Sequence, residues 1–342
     1  MKLKQIFRKT LRIILPLFLG CLLLWYLYQG QDWSEMMKVI KKGVRYDILL
    51  FSLIFGLGGN VFRGLRWGLL IDSLGERVKK KNVVLAVLGN YAINLVLPRV
   101  GEIWRCGVTS KYERIPFTKL VGTMLVDRVM DTIVVGLAAT IVFSFNFSFI
   151  STYFSNNPEF VNGFKAMFSS IWMYICILLL VLAIWLFFKK WGHIAFVKKV
   201  KEAILNIWEG IKSLWKLDRK VLFIFQTMMI WVCYFLYFYI TFYAFDFTSN
   251  LGIRIGLIAF IMSSIGVAVP VQGGIGVWHF MVISTLVSFS VPEVDAGAFA
   301  LVVYTIQTVW VIITGLVGVF ALPVVNRDNV VGESKKDTEL EK

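Results

Sequence analysis

Histidine and cysteine are scarce in this chain, with two histidines and four cysteines among 342 residues. The cysteines are Cys21, Cys106, Cys176 and Cys233, and this wide spacing fits neither a metal site nor a redox pair. The sequence also lacks a Gly-x-x-x-x-Gly-Lys loop for nucleotide phosphates. We therefore expect no metal site, no cofactor and no direct use of ATP.

Charge is the next scarce feature, because charged residues make up 17% of the sequence and hydrophobic residues 58%. This balance excludes a soluble globular domain and predicts a polytopic helical membrane protein. The formal net charge of +15 lies mainly in short loops between apolar stretches. Cations in such loops orient membrane helices and contact anionic headgroups, so we expect membrane lipid as a partner and no nucleic acid.

Hydropathy predicts an all-α bundle with about six full spans and two interrupted segments, or eight to nine hydrophobic segments in all. The predicted spans are 11–29, 47–71, 120–145, 171–188, 221–245 and 297–325, and the interrupted segments are 82–110 and 253–290. Three groups of loops follow the positive-inside rule and loop 30–46 opposes it, which places both termini in the cytoplasm. We treat 1–325 as one membrane domain and 326–342 as a disordered cytoplasmic tail.

The cytoplasmic stretch 189–220 is basic and amphipathic. Its apolar residues recur at steps of three and four from Val197 to Trp215, and lysines occupy the opposite face. This pattern predicts a helix that lies in the membrane interface. An ordinary connector packed on other loops is the alternative.

The first interrupted segment is predicted to enter the membrane and return. If Val83 to Leu97 crossed the bilayer, the basic stretch 189–220 would lie outside, against the positive-inside rule. The break reads Leu97-Pro98-Arg99-Val100-Gly101-Glu102, in which proline and glycine interrupt the helix. A re-entrant hairpin of this kind carries charged residues to membrane depth, where they usually mark a functional site.

The second interrupted segment, 253–290, has a similar break in Pro270-Val271-Gln272-Gly273-Gly274-Ile275-Gly276. The loop charges place its entry on the opposite face of the membrane. Two opposed breaks predict an inverted repeat with a site near the membrane centre. Two ordinary spans joined by a tight glycine-rich turn would give the same topology, and the sequence leaves both interpretations open.

Ionisable residues inside the apolar segments are the candidate binding residues. They are Arg63, Arg99, Glu102, Arg105, Asp127, Arg128 and Asp131. The excess of arginine over carboxylate predicts an anionic ligand, because a guanidinium matches phosphate oxygens. Arg66 lies on the same helix face as Arg63. Structural ion pairing is one alternative, and snorkelling to the membrane boundary is another for Arg66, Asp127 and Arg128. His279 is either a proton relay or headgroup donor, or a packing residue.

Three motifs together resemble a known family. They are Asn94-x-x-x-Pro98-Arg99-x-Gly101-Glu102-x-x-Arg105, Asp127-Arg128-x-x-Asp131 and Pro270-x-Gln272-Gly273-Gly274-Ile275-Gly276. In residues 10–325 the chain resembles the transmembrane region of lysylphosphatidylglycerol synthases and the flippase-like membrane proteins related to it. The resemblance implies a multi-pass protein of a bacterial cytoplasmic membrane, with paired re-entrant segments, that moves a lipid between leaflets.

The resemblance also implies roles for individual residues. Its motifs would place Arg99, Glu102, Arg105, Asp127, Arg128 and Asp131 along the headgroup path, with Gln272, Gly273 and Gly274 at the opposite break. In the full-length synthases a soluble aminoacyl-transferase domain follows the membrane region, whereas this sequence ends soon after its last predicted span. We therefore expect no lysyl transfer by this chain alone.

Two functions follow as hypotheses. The first is a flippase, and not an enzyme, for an anionic or isoprenoid-linked lipid or glycolipid that a partner enzyme would supply. The alternative is an intramembrane transferase acting on a polyprenyl-phosphate or phosphatidylglycerol substrate, with Glu102 or Asp131 as the base.

Overall fold

The computed structural model describes residues 22, 24–30, 32–97, 99–156, 219–269 and 271–327, together with 162, 169–171, 174–175, 178–179 and 182. These residues form helices, with no strand among them. The helices are α1 (Trp33–Gly43), α2 (Tyr46–Asp72), α3 (Lys80–Val96), α4 (Val100–Glu113), α5 (Phe117–Ser144), α6 (Phe147–Asn156), α7 (Lys220–Tyr239), α8 (Asp246–Ser249), α9 (Gly252–Ala268), α10 (Val277–Ser288) and α11 (Glu293–Val325), with short 3₁₀ turns at Ile240–Ala244 and Gln272–Gly274.

Four helices have the length of membrane spans. Helix α2, helix α7 with its 3₁₀ extension, and helix α11 have 27, 25 and 33 residues and are apolar enough to cross a bilayer. Helix α5 has 28 residues, and its first half carries charged side chains. The prediction of a helical multi-pass membrane protein is confirmed.

Some predicted segments lie largely outside the described residues. They are the spans 11–29 and 171–188, the interfacial helix 189–220 and the tail 326–342. The count of six full spans therefore stays a prediction.

Two helices lie where the sequence predicts loops. Helix α1 begins after Asp32, whose carboxylate accepts the backbone N–H groups of Ser34 and Glu35 at 2.8 and 3.2 Å and so caps the helix. Met36 in its first half is fully buried in the main core. In helix α6, the ring of Phe149 stacks on that of Phe289. Both helices are short and amphipathic, so a hydropathy window for spans does not detect them.

Small residues allow the long helices to pack closely. A side chain at Gly59 in α2 would collide with the ring of Tyr234 in α7, and one at Gly318 in α11 would collide with the backbone of Gly89 in α3. Close approach through small residues is the usual way in which membrane helices associate. These contacts fix α3 against α11 and α2 against α7.

Helices α3 and α4 form an antiparallel hairpin, called hairpin 1. At its base, the Asn82 side-chain amide donates to the Glu113 carboxylate at 2.5 Å. At its tip, the Gly101 N–H donates to Asn94 Oδ1 at 2.9 Å. Gly101 lies so close to the Asn90 carbonyl oxygen that no Cβ fits there. The chain therefore reverses direction at the predicted break.

Helices α9 and α10 form hairpin 2, and its two ends also lie close together. Near the start of α9, Arg254 donates to the Asn146 side chain, just before α6. Just after the end of α10, the ring of Phe289 stacks on Phe149 of α6 with centroids 5.1 Å apart. Both ends of hairpin 2 thus contact the start of α6 or the residue just before it.

The arms of the two hairpins are short. They have 17 and 14 residues in hairpin 1 and 17 and 12 in hairpin 2, whereas a span needs roughly 20. The tip of hairpin 2 turns through Gly273, Gly274 and Gly276, whose φ angles of 59°, 76° and 82° suit glycine. The arms of hairpin 2 thus lie at or below the lower limit for a span, and the choice between a re-entrant hairpin and two ordinary spans for 253–290 stays a prediction.

The two hairpins approach each other from opposite ends of α11. The base of hairpin 1 is tied to the end of α11, because Asn82 and Asn326 exchange side-chain hydrogen bonds. Hairpin 2 runs directly into the start of α11. Their tips meet beside α11, where Tyr304 donates to the Gly273 carbonyl at 2.9 Å and Leu95 packs against Gly273. The bases of the two hairpins thus lie at opposite ends of α11, and their entry from opposite faces of a membrane stays a prediction.

Candidate anion-binding site

The centre of the site is a buried arginine held by two aspartates. Arg66 Nη2 lies 2.6 Å from Asp127 Oδ1 and 2.6 Å from Asp131 Oδ1. The aspartates are four residues apart on α5, so both face α2. The side chains of Arg66 and Asp127 are fully buried. The alternative in which Arg66 and Asp127 snorkel to the membrane boundary is therefore wrong, because their ion pair holds both side chains inside the bundle.

Two further arginines flank this centre. Arg63, one turn before Arg66, brings Nη1 to 2.9 Å from Asp131 Oδ2. Arg105 from α4 of hairpin 1 brings Nη2 to 3.2 Å from Asp127 Oδ2. Both side chains are buried. Helices α2, α4 and α5 are thus joined by buried ion pairs.

The accessible side of the site is formed by Arg128 and Glu102. Arg128 Nη2 lies 3.4 Å from Asp127 and 3.7 Å from Asp131, and its Nη1 lies 3.5 Å from Glu102 Oε1. The side chains of Arg128 and Glu102 are 30% and 20% exposed. A ligand could therefore reach this pair first.

We call the whole set the ion network. It consists of Arg63, Arg66, Glu102, Arg105, Asp127, Arg128 and Asp131. The sequence analysis lists six of these seven as binding residues, and it places Arg66 beside Arg63 without adding it to that list.

The network lies well inside the bundle. Asp127 is ten residues from the start of α5 and Arg66 is six from the end of α2, which corresponds to about 15 and 9 Å along each helix. Charges at this depth are expensive in lipid and are usually functional. In the part of the chain described, no group of three His, Cys, Asp or Glu residues could hold a metal ion.

Aromatic rings line the network. The guanidinium of Arg105 lies 4.6 Å from the ring centre of Trp67, and that of Arg63 lies 5.5 Å from the ring centre of Tyr234. Tyr234 donates to Asn60 at 2.8 Å and contacts the Tyr91 hydroxyl at 3.1 Å. Sequence analysis missed these residues, because a tyrosine or tryptophan in an apolar helix has no distinctive spacing.

Several donors in the network remain unused. Arg63 Nε, Arg128 Nε, and both Nε and Nη1 of Arg105 are buried and have no hydrogen-bond acceptor among the described residues. One acceptor, Asp131 Oδ2, has ion contacts from Arg63 and Arg128 but no well-directed hydrogen bond. Unused donors thus outnumber unused acceptors, which suits an anionic ligand.

Arg99 lies apart from the network. It is exposed at the tip of hairpin 1 and precedes α4 with φ of 63°, in the left-handed region. This conformation costs a residue with a side chain roughly 1–2 kcal/mol. Within the described ranges no ion pair joins Arg99 to Glu102, although Arg99, Glu102 and Arg105 share the predicted spacing. Its position marks the tip rather than the ion-paired centre.

The remaining predicted residues belong to the tip of hairpin 2. Gly273 and Gly274 form its turn, and the side chain of Gln272 lies outside the described residues, as do Pro98 and Pro270. His279 is buried, with its ring 4.5 Å from that of Tyr304. Its Nδ1 is buried and has no hydrogen-bond partner among the described residues, so the choice between a proton relay or headgroup donor and a packing residue stays open. The structure therefore brings together the arginine and carboxylate candidates except Arg99, but not those of the second break.

Comparison with known proteins identifies similar sequences. The model of a family described as "Lysylphosphatidylglycerol synthase TM region" matches residues 13–315. The UPF0104 membrane protein MJ1595 of Methanocaldococcus jannaschii is 33% identical over 169 residues, which is 48% of this chain and 44% of that protein. The UPF0104 membrane protein MJ1078 of the same organism is 28% identical over 250 residues, which is 72% of this chain and 98% of that protein. The aligned region thus spans less than half of the first relative and nearly all of the second.

Proposed function

The chain belongs to the family of the lysylphosphatidylglycerol synthase TM region, and from this premise we propose that it moves an anionic or isoprenoid-linked lipid between membrane leaflets. The lipid headgroup would bind at the ion network while the tails stay in the surrounding hydrocarbon. A partner enzyme would supply the lipid.

The ion network is the observation that carries this proposal. Four arginines at membrane depth face three carboxylates, and two members of the network are partly exposed. A cluster with only a structural role would need neither more arginines than carboxylates nor side chains that a ligand can reach. Guanidinium groups hold phosphate oxygens in a bidentate manner, so a phosphate-bearing headgroup is the natural ligand.

The two opposed hairpins provide a path for the lipid headgroup through the bundle. Backbone that is broken at membrane depth is tolerated where it lines a cavity, and paired breaks occur at the substrate sites of transporters with inverted repeats. The hairpin tips meet at Leu95 and Gly273, beside Tyr304. Separation of the tips would connect the network to the other side of the bundle. On this interpretation the two hairpins are re-entrant and belong to one membrane domain.

The orientation follows from loop charge. The end that carries the base of hairpin 1 has Arg77, Lys79 and Arg114 in its loops. At the opposite end the cations are offset by a larger number of carboxylates; the cations are Lys38, Lys41, Lys42, Arg45 and Arg254, and the carboxylates are Asp32, Glu35, Asp47, Asp246, Glu293 and Asp295. The positive-inside rule then places the base of hairpin 1 and both termini in the cytoplasm of a cell whose cytoplasmic membrane holds the protein.

Leaflet exchange of a labelled lipid tests the proposal. Purified protein in vesicles should move a fluorescent anionic phospholipid from the inner to the outer leaflet, where a membrane-impermeant quencher detects it. Arg128→Gln should abolish this exchange, because it removes the accessible cation of the network. The matched control is Arg45→Gln, which removes an exposed cation at the opposite end of α2. Exchange by Arg128→Gln at the rate of the unsubstituted protein would reject the headgroup site.

The alternative function is an intramembrane transferase, and one observation favours it. Both oxygens of Asp127 and of Asp131 face arginines, whereas among the described residues Glu102 has one ion pair, with Arg128. Glu102 is therefore the carboxylate available as a base. Incubation with a polyprenyl-phosphate sugar or phosphatidylglycerol and an acceptor, followed by mass spectrometry, tests this function. A new covalent product that disappears in Glu102→Gln would favour the enzyme over the transporter.

A further inference from the structure

His279 in hairpin 2 is buried, with 1% of its surface exposed, and its Nδ1 has no hydrogen-bond partner among the described residues. A neutral imidazole has one donor nitrogen and one acceptor nitrogen, so Nδ1 is a free acceptor in the tautomer that carries hydrogen on Nε2. A buried polar atom of this kind is unfavourable unless a ligand or a second conformation uses it. The free nitrogen is therefore a candidate site for a proton.

Three aromatic rings surround the imidazole of His279. The centre of the imidazole lies 4.5 Å from that of the Tyr304 ring, 5.4 Å from that of Trp278 and 6.1 Å from that of Tyr28. A cation within about 6 Å of the centre of an aromatic ring is attracted to the face of that ring. The three rings would therefore offset part of the cost of a positive charge at this position.

The same histidine is linked to the contact between the hairpin tips. It lies in the first turn of α10, three residues after Gly276 of the tip. The hydroxyl of Tyr304, whose ring lies against the imidazole, donates to the Gly273 carbonyl. Leu95 of hairpin 1 packs on Gly273 from the other side of the contact. Separation of the tips would therefore change the surroundings of His279 through Tyr304.

Other charged groups lie away from His279. In the described part of the chain, the titratable groups that face it are Tyr28 and Tyr304, and phenols carry no charge at neutral pH. Helix α7 reaches this region with the apolar ring of Phe238, which contacts Trp278. The other titratable groups on the described helices packed against α10 lie toward the base of hairpin 2, and they are Tyr153, Arg254, Glu293 and Asp295. An imidazolium would thus have no counter-ion among the described residues.

From this geometry we propose that His279 takes up a proton as the hairpin tips separate, and that a proton therefore crosses the membrane together with the lipid anion. While the tips are in contact, a charge at this buried position is unfavourable. Separation of the tips admits water to Nδ1, so the proton binds preferentially to the open arrangement and favours it. The imidazolium also compensates the charge of a headgroup that passes the tips.

This inference rests on the proposed function and adds the ion that drives it. The proton adds to the lone pair of His279 Nδ1 from water on one side of the membrane. It returns to water on the other side when the tips close, and no bond of the lipid forms or breaks.

Accumulation of lipid in a pH gradient tests the inference. Phosphatidylcholine vesicles that contain the purified full chain and a fluorescent anionic phospholipid are given a pH gradient of about one unit, and a membrane-impermeant quencher reports the ratio between leaflets. Passage of one proton with each lipid should enrich the lipid about threefold to tenfold in the leaflet on the alkaline side, because the proton activity differs about tenfold. This direction is the same for both orientations of the protein in the vesicle. Exchange without enrichment, or with enrichment on the acidic side, would overturn the inference.

Substitution of the imidazole assigns the proton to His279. His279→Gln and His279→Asn place a polar amide near the position of Nε2 and of Nδ1, respectively, and bind no proton near neutral pH, so neither should enrich the lipid. His193→Gln removes the other histidine of the chain and is the control, which should enrich the lipid as the unsubstituted protein does. Enrichment by a folded His279→Gln protein contradicts the assignment. For a variant that exchanges no lipid at equal pH, amide exchange at the tip decides instead.

Amide hydrogen exchange at the tip of hairpin 2 separates this inference from the proposed function. In nanodiscs, peptides that cover residues 271–276 of the unsubstituted chain should exchange faster than those of His279→Gln at the same pH. The ratio should rise by about threefold or more when the pH is lowered by one unit, because protonation favours separated tips. That result without leaflet exchange would reject transport and leave the proton site intact. A ratio that is constant with pH would overturn the proton site, whereas leaflet exchange without enrichment would support transport alone.

Discussion

Asn82 and Asn326 form a reciprocal amide pair, in which each side chain donates to the carbonyl oxygen of the other at 2.9 Å. Both are buried, and they lie 244 residues apart in the chain. The pair joins the base of hairpin 1 to the end of α11. Asn82 also donates to Glu113 at the base of α4. Hairpin 1 is therefore anchored at the end of α11 opposite to hairpin 2.

This pair should contribute measurably to stability. Asn82→Ala removes the contacts to both Asn326 and Glu113 and leaves buried polar groups unpaired, so we expect a loss of about 1–3 kcal/mol in the free energy of unfolding. Asn326→Ala should cost less, because Asn82 keeps Glu113. The double variant should cost less than the sum of the two. Denaturant unfolding in detergent measures these values, with Asn250→Ala, at an exposed position, as the control. Strict additivity would contradict the pairing.

The arginines of the ion network should separate into structural and accessible classes. Asp127→Ala removes the counter-ion of the fully buried Arg66 and Arg105, and breaking a buried ion pair costs about 3–5 kcal/mol. Arg128→Gln changes a partly exposed side chain and should cost about 1 kcal/mol or less. The midpoint of denaturation in detergent measures both. An equal loss of stability in the two variants would mean that Arg128 stabilises the fold as much as the buried ion pairs of Asp127 do.

Hairpin 1 requires a glycine at its tip. Gly101→Ala places a methyl group against the Asn90 carbonyl oxygen, a backbone atom that cannot turn away, so we expect a cost of about 1–3 kcal/mol. Gly107→Ala in the same helix is the matched control, because no atom lies within 4 Å of its added carbon. It should be neutral or stabilise the helix by up to about 1 kcal/mol. Similar unfolding curves for the two variants would show that α4 does not pack on α3 as described.

The two ends of hairpin 1 should label from the same side of the membrane. Cysteines at Arg77 and Lys111, both exposed near its base, should react only after the cytoplasmic side is opened to a membrane-impermeant maleimide. A cysteine at Asn250, at the opposite end of the bundle, should react in intact cells. Cys106 and Cys233 are buried, and the parent for these variants should have all four native cysteines replaced. Labelling of Arg77 and Lys111 variants from different sides would exclude a re-entrant hairpin.

The sequence predicts most of the fold because its signals are local. Proline, arginine and glycine between Leu97 and Glu102 mark the break of hairpin 1, and α2, α7 and α11 follow from hydropathy. Helices α1 and α6 were missed, since each is stabilised by tertiary contacts such as those of Met36 and Phe149. A hydropathy scale measures the transfer of a residue into lipid and contains no information about such tertiary contacts.

The site was predicted less completely for a different reason. Arg63, Arg105 and the aspartates stand out as charges in apolar segments, whereas Arg66 lies near a predicted boundary, where the sequence allows either a binding role or snorkelling. Its burial depends on Asp127, which lies 61 residues later in the chain. A single sequence does not show which distant carboxylate meets which arginine. The separation of Arg99 from the network likewise depends on the turn at the hairpin tip.

The contact between the hairpin tips should limit lipid exchange. Tyr304→Phe removes the hydroxyl that donates to the Gly273 carbonyl at 2.9 Å and keeps the ring, which weakens the tip contact by about 1 kcal/mol. If the tips must separate for a headgroup to pass, easier separation should raise the exchange rate by up to about fivefold at that energy. Tyr243→Phe is the control, because it also removes one hydroxyl contact, with Tyr239, at an exposed position. Leaflet exchange of the fluorescent phospholipid measures both variants, and a rate that Tyr304→Phe leaves unchanged or lowers would exclude the tip contact as the barrier.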